Sequence, residues 1–242
     1  MRVAILSDIH GNAVALEACL ADLAAAGGAD RIVAAGDLCM DGPRPRKVLR
    51  RLKEAGAHVV RGNTDRMIAL EDPNAYDADD RESIIWQRGA LGQDWVAWLG
   101  AAPMTVTIGS GADGLLIAHA TPKRDDEHIW PDASDEQLEA ITDGVVAQTM
   151  AFGHLHVPYV RTWRGRTFVN VASAGLPKDG DPRAHYAILT QRTGGWSVRS
   201  RRVAFDVDRV ERQIRKSGMP NIDERLDVLR AHRYKQLGDH QL

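Results

Sequence analysis

Short apolar runs that each stop at a chemistry-bearing tip constrain this chain more than any other feature. The first run, Arg2-Val3-Ala4-Ile5-Leu6, ends in Ser7-Asp8-Ile9-His10-Gly11-Asn12. Its length and its turn-rich end mark a buried strand. Alternate residues of a strand share a face, so Asp8 and His10 are expected side by side at its C-terminal tip. A hard carboxylate beside an imidazole is half of a metal site. Asp-x-His is also common by chance, so the other half has to come from elsewhere in the chain.

The pattern repeats twice. A helix predicted from Asn12 to Ala26 carries Val14, Leu16, Cys19, Leu20 and Leu23 on one stripe and stops at Gly27-Gly28. The run Arg31 to Ala35 then ends in Gly36-Asp37 and a turn-rich loop, and a helix from about Pro45 to Ala55 follows. A third run, His58 to Val60, ends in Arg61-Gly62-Asn63-Thr64-Asp65. Three strand–helix units predict a parallel sheet with right-handed crossovers, and such sheets bind ligands beyond the carboxyl ends of their strands.

Further along, residues 66–100 read as one or two helices placed beside or over that edge, forming a cap. Their tryptophans Trp86, Trp95 and Trp98 suit packing. A hairpin from Met104 to Ala118 ends in His119. His128, in the polar loop 121–132, reads as a lone solvated histidine. Ser134-Asp135-Glu136-Gln137 is a capping box opening a helix to about Thr142. A strand from Val145 to Phe152 ends in Gly153-His154-Leu155-His156, and four more strands follow in an antiparallel run. The charged tail, 206–242, is helical in pattern, with Val207, Val210, Ile214, Leu226, Leu229 and Leu237 as anchors. Residues 1–242 read as a single domain with that cap and tail.

Composition narrows the class. A net charge of −2 argues against a nucleic-acid or membrane surface, and two cysteines are too few for a thiolate site or a disulfide framework. No apolar leader is read at the start, so a cytoplasmic protein is expected. The oligomeric state is left open. The collected strand tips are Asp8, His10, Asp37, Asn63, His119, His154 and His156. Mixed oxygen and nitrogen donors without thiolate suit divalent transition metals, manganese first, with iron, zinc, nickel or cobalt as alternatives. There are too many donors for one ion. Two ions about 3.5–4 Å apart would use them all, generate a hydroxide nucleophile and neutralise a phosphoryl group. Asp65 is a candidate catalytic support, and Asn12, Arg61 and Arg66 are candidate substrate contacts.

In this order, Asp8-Ile9-His10, Gly36-Asp37, Gly62-Asn63-Thr64-Asp65, His119 and Gly153-His154-Leu155-His156 resemble the signature blocks of the calcineurin-like metallophosphoesterases. The stretch from Asn170 to Ala184 looks like the small prokaryotic phosphodiesterase branch of that family. The resemblance implies an α/β protein, a four-layer α/β/β/α sandwich. It implies a dinuclear-metal-dependent phosphoesterase acting on a small-molecule phosphodiester or nucleotide-type ester through a metal-bridging hydroxide. One metal would take Asp8, His10, Asp37 and His156. The other would share Asp37 and take Asn63, His119 and His154. The alternative is a metal-binding scaffold with weak catalysis that serves in protein interaction. Two departures stand out. Thr64 occupies a position where many members carry a general-acid histidine. Asn170-Val171-Ala172-Ser173 replaces the usual Asn-Pro-Gly-Ser.

Overall fold

The computed structural model describes residues 1–233; the expected tail anchor Leu237 lies outside them. The first three strands, Arg2–Leu6 (β1), Arg31–Ala35 (β2) and His58–Val60 (β3), alternate with helices Ala13–Ala25 (α1) and Pro45–Glu54 (α2). Three helices follow, Asn63–Leu70 (α3), Ala78–Leu91 (α4) and Gln93–Gly100 (α5). A hairpin, Thr105–Ile108 (β4) and Leu115–Ala118 (β5), leads into helix Asp135–Thr142 (α6). Strands Thr149–Phe152 (β6), Pro158–Trp163 (β7), Arg166–Val171 (β8), Ala184–Arg192 (β9) and Gly195–Val203 (β10) come next. Helices Val207–Arg215 (α7) and Ile222–Ala231 (α8) end the described chain. None of these helices is long and apolar enough to cross a membrane.

The strands form two five-stranded sheets, ordered β10-β9-β1-β2-β3 and β4-β5-β6-β8-β7. Both have a parallel centre, β1 with β2 and β3 in one, β5 with β6 and β8 in the other. The antiparallel run expected near the C-terminus divides between them. β8 joins β6, whereas β9 pairs with β1 and carries β10 outward. Strand alternation explains the layering. Val3 and Ile5 meet Ile117, Ala151 and Val169 between the sheets, while Ala4 and Leu6 face Leu16 and Leu49 of the helices. On the far side, Met150, Phe152 and Phe168 pack against Leu138 and Ile141 of α6. The result is the four-layer α/β/β/α sandwich. Ile84, Leu91 and Leu99 from α4 and α5 join the same core as α1 and α2.

One strand is shorter than its apolar run predicts. Residues 145–148 do not extend β6, because the Arg166 guanidinium takes the carbonyls of Val145 and Ala147 at 2.8 Å each. The tail anchors Val210, Ile214, Leu226 and Leu229 form a small core of their own, with Trp86 packed against it. Cys19 and Cys39 are both buried in the main core, where burial pushes both thiols up.

Candidate metal centre

Each apolar strand ends before the residue that carries the chemistry. β1 stops at Leu6, and Asp8 and His10 lie past it with φ of 52° and 48°. Asp37, His154 and His156 are also left-handed, with φ of 50°, 66° and 58°. For residues with a Cβ this region costs on the order of 1–3 kcal/mol each, and it concentrates at functional sites. The pairing of Asp8 with His10 therefore comes from two left-handed turns, not from strand alternation as the sequence suggested. Backbone bonds hold the turns in place. Asp8 N donates to Gly36 O at 3.0 Å and His10 N to Asp37 O at 2.9 Å, locking the β1 and β2 loops together.

The donors collect in two groups, Asp8 with His10 and His156, all buried, and Asp37 with His119, both buried, and half-buried His154. Asp37 faces both. Its Oδ2 is 3.7 Å from His10 Nε2 and its Oδ1 is 3.4 Å from His119 Nε2. Asn63, the first residue of α3, brings Oδ1 to 3.0 Å from His119 Nε2.

The hydrogen bonds at the edge of the centre set which atoms face inward. His119 Nδ1 donates to Ala35 O at 2.8 Å, which leaves the Nε2 lone pair aimed at the oxygens of Asn63 and Asp37. His156 Nδ1 donates to Leu176 O, so its Nε2 lone pair points at His10 Nε2, 3.2 Å away, and at Asp8 Oδ1, 3.1 Å away. Asp8 Oδ1 and His154 Nε2 are buried without a hydrogen-bond partner. Acceptors facing acceptors in a dry site are costly unless a cation sits among them. The donor set, carboxylates, imidazoles and one amide oxygen, fits divalent transition metals.

The charges respond accordingly. Burial disfavours charge on His119, yet the Asp37 and Asp8 carboxylates outweigh it and raise its pKa to about 10, so Nε2 holds a proton among these oxygens and offers its lone pair only where a cation takes that proton's place. Burial likewise opposes ionisation of Asp8 and Asp37, but the surrounding imidazoles hold both well below the usual carboxylate range. His154 is pushed down to about 3, chiefly by burial and then by the neighbouring His119.

The remaining expected site residues have internal work. Asp65 acts on backbone groups. Its Oδ1 accepts from Leu38 N at 3.0 Å and Cys39 N at 3.3 Å, and its Oδ2 accepts from Gly62 N at 3.1 Å, tying the Asp37 loop to α3. Asn12 caps α1 through Ala15 N and donates to Gly175 O at 2.9 Å. Arg66 is held by Asp125 and Glu71, which fastens loop 121–132 to α3. Arg61 donates to Gly100 O at 3.4 Å. The loop near Ala172 also holds the Asp8 turn. Ala172 takes φ of 55°, where the usual pattern carries glycine, and Ser173 Oγ donates to Asp8 O at 2.7 Å.

Two residues belong here that the sequence did not single out. His128, expected as a lone solvated histidine, is exposed but lies against His154 with ring centroids 4.3 Å apart, and it stacks on Trp130. Asp41 brings Oδ2 to 3.3 Å from His10 Nδ1, and it is clamped by Arg225 of α8, which also donates to Ser83 Oγ at 3.0 Å. His10 Nδ1 makes no hydrogen bond to this carboxylate, so Asp41 acts on the ring through its charge; loss of a carboxylate beside the outer nitrogen of a ligating histidine costs about 10–100-fold in metal affinity. Arg225→Ala frees Asp41 and is expected to weaken metal binding about tenfold, measured by chelator competition. Unchanged affinity would limit Arg225 to holding the tail.

Comparisons with known proteins agree with this geometry. The model of the calcineurin-like phosphoesterase superfamily domain matches residues 1–194. Phosphodiesterase YfcE from Escherichia coli (strain K12) is 30% identical over 203 residues, covering 78% of this chain and 87% of that protein. A metallophosphoesterase from Sphaerobacter thermophilus superposes with a TM-score of 0.76 at 28% identity, covering 96% of this chain and 100% of that one. A hypothetical protein from Pyrococcus horikoshii shares the fold at a TM-score of 0.82 and 22% identity, covering 94% of this chain and 97% of its own.

Proposed function

This chain belongs to the calcineurin-like phosphoesterase superfamily and is a metal-dependent phosphoesterase, and from that premise we propose that it hydrolyses a phosphodiester or nucleotide-type phosphate ester at a two-ion centre. The observation that carries the proposal is Asp37, whose two oxygens face the two donor groups separately. Asp8, His10 and His156 would hold one ion, and Asn63, His119 and His154 the other, with Asp37 common to both. Bound there, divalent ions supply Lewis-acid neutralisation of the phosphoryl oxygens and acidify water to a nucleophile. Manganese is the proposed metal.

The chain's own contribution is preorganisation. Backbone carbonyls of Ala35 and Leu176 fix the tautomers of His119 and His156, so their Nε2 lone pairs already point inward. Asp65 holds the loop that presents Asp37. Thr64 donates its backbone N–H to Asp37 Oδ1 at 3.0 Å, and its hydroxyl is too weak an acid to protonate a leaving oxygen. This favours diesters and good leaving groups over alkyl monoesters.

Asn12, Arg61 and Arg66 are engaged within the chain, so we place the leading substrate contact on His128. His128→Ala is expected to lower kcat/KM about tenfold, equivalent to about 1.4 kcal/mol of transition-state binding, with metal content unchanged. A parallel loss of metal would mean that His128 only supports His154. The scaffold alternative would keep the same seven donors, so turnover is what separates the two readings. The functional test is hydrolysis of bis-p-nitrophenyl phosphate and p-nitrophenyl phosphate by metal-stripped protein, titrated separately with Mn²⁺, Ni²⁺, Mg²⁺ and Zn²⁺. Turnover restored by metal, higher on the diester, supports the proposal. No turnover with any metal, in protein that has bound its ions, overturns it.

A further inference from the structure

A second cavity adjoins the Asp41–Pro43 loop, whose Asp41 also approaches His10 of the metal centre. Gly42 packs against the His10 carbonyl, and Pro43 next to it lines this cavity. The cavity measures about 540 Å³, within the range of small-ligand pockets. Its cations are Arg44, Arg46, Lys47 and Arg50 from the start of α2 and Lys216 after α7, and no carboxylate joins them among the described lining residues. Lys47 and Arg50 are partly committed to Glu17 and Glu54. Among the described residues, Arg44, Arg46 and Lys216 have no carboxylate within ion-pair distance. A chain of net charge −2 has no overall reason to gather so many cations at one place.

Two half-buried aromatic rings, Trp86 and Trp95, share the wall, Trp86 packed against the core of the tail helices and Trp95 against the main core, 5.5 Å from the Trp98 ring. Lys53 Nζ lies 5.7 Å from the Trp95 ring centroid, so the cationic field continues along α2. Cations that bind phosphate oxygens, beside flat rings that stack on a base, are the chemistry of nucleotide recognition.

We propose that this cavity is a second binding site, separate from the metal centre, for a nucleoside polyphosphate. The phosphates lie among Arg44, Arg46 and Lys216, and the base stacks on Trp86 or Trp95. The proposal does not depend on the two-ion reading of the catalytic centre.

The test uses the full, metal-loaded chain, with a non-hydrolysable ATP analogue and inorganic tripolyphosphate as probes, followed by calorimetry and tryptophan fluorescence. The analogue is expected to bind with quenching, and more tightly than tripolyphosphate. The double variant Arg46→Glu, Lys216→Glu is expected to weaken it by at least about tenfold, with hydrolysis of bis-p-nitrophenyl phosphate unchanged. That retained hydrolysis also shows that the variant is folded. Equal affinity in the variant would place the nucleotide at the metal centre and overturn the site. Tripolyphosphate binding as tightly as the nucleotide would overturn the assignment of a base, and absence of binding would overturn both.

Discussion

Asp37→Asn is expected to end hydrolysis, by at least about 10³-fold, and to weaken both ions together. The change is nearly isosteric, so packing is preserved. What is lost is one negative charge and one of two equivalent oxygens. Asp37 is buried, with one oxygen toward His10 and the other toward His119, and it also accepts from Thr64 N. An amide presents only one acceptor and carries no charge, so one donor group loses its shared ligand and the other keeps only a weaker, neutral one. The remaining Asp8 cannot compensate, because it lies in the group with His10 and His156. Metal analysis of the purified variant, beside its turnover of bis-p-nitrophenyl phosphate, checks this. Loss of a single ion with the second retained at wild-type affinity would remove Asp37 from the bridging role.

Gly153→Ala is expected to damage the centre without touching a ligand. A Cβ at this position would overlap Ser7 Oγ and the Asp8 carboxylate oxygen Oδ2. Neither neighbour can yield easily. Ser7 Oγ donates to Ala35 O at 2.9 Å, and Asp8 Oδ2 accepts from His154 N at 2.9 Å. Gly153 is itself pinned, its N–H donating to His119 O at 2.8 Å and its carbonyl accepting from Asn170 at 2.7 Å. Overpacking of a dry, hydrogen-bonded site costs about 1–3 kcal/mol, and here the displaced group is a metal ligand. Lower stability in urea together with lower metal content is the expected result. Wild-type stability and activity would show that the loop is more yielding than its bonds indicate.

Much of this centre was legible because it depends on local signals. Short apolar runs ending in Asp8, Asp37 and Asn63 locate strand ends, and parallel sheets bring strand ends together. The same logic placed His119, His154 and His156. What was not legible depends on the left-handed turns and on distant contacts. The approach of Asp8 to His10 rests on positive φ at both residues, which alternation cannot reveal. Strand membership of β9 is set by pairing with β1 across the whole sequence, and no local pattern records it. Asp41 and His128 gain their meaning from Arg225 and His154, far away in sequence. Arg66 looked like a phosphate ligand because a charge near a site is ambiguous until its partners, here Asp125 and Glu71, are seen. The basic cavity was hidden for the same reason. Arg46 and Lys216 are ordinary surface cations until α2 and the end of α7 are brought together.

The central claim is that one buried carboxylate joins two metal positions. The most direct test is to load metal-stripped protein with Mn²⁺, count the ions per chain, and record the electron paramagnetic resonance spectrum. Two ions per chain with a spin-coupled spectrum, replaced in Asp37→Asn by loss of coupling, is the predicted result. A single ion per chain, or two ions that give only isolated Mn²⁺ signals in the wild-type protein, would contradict it.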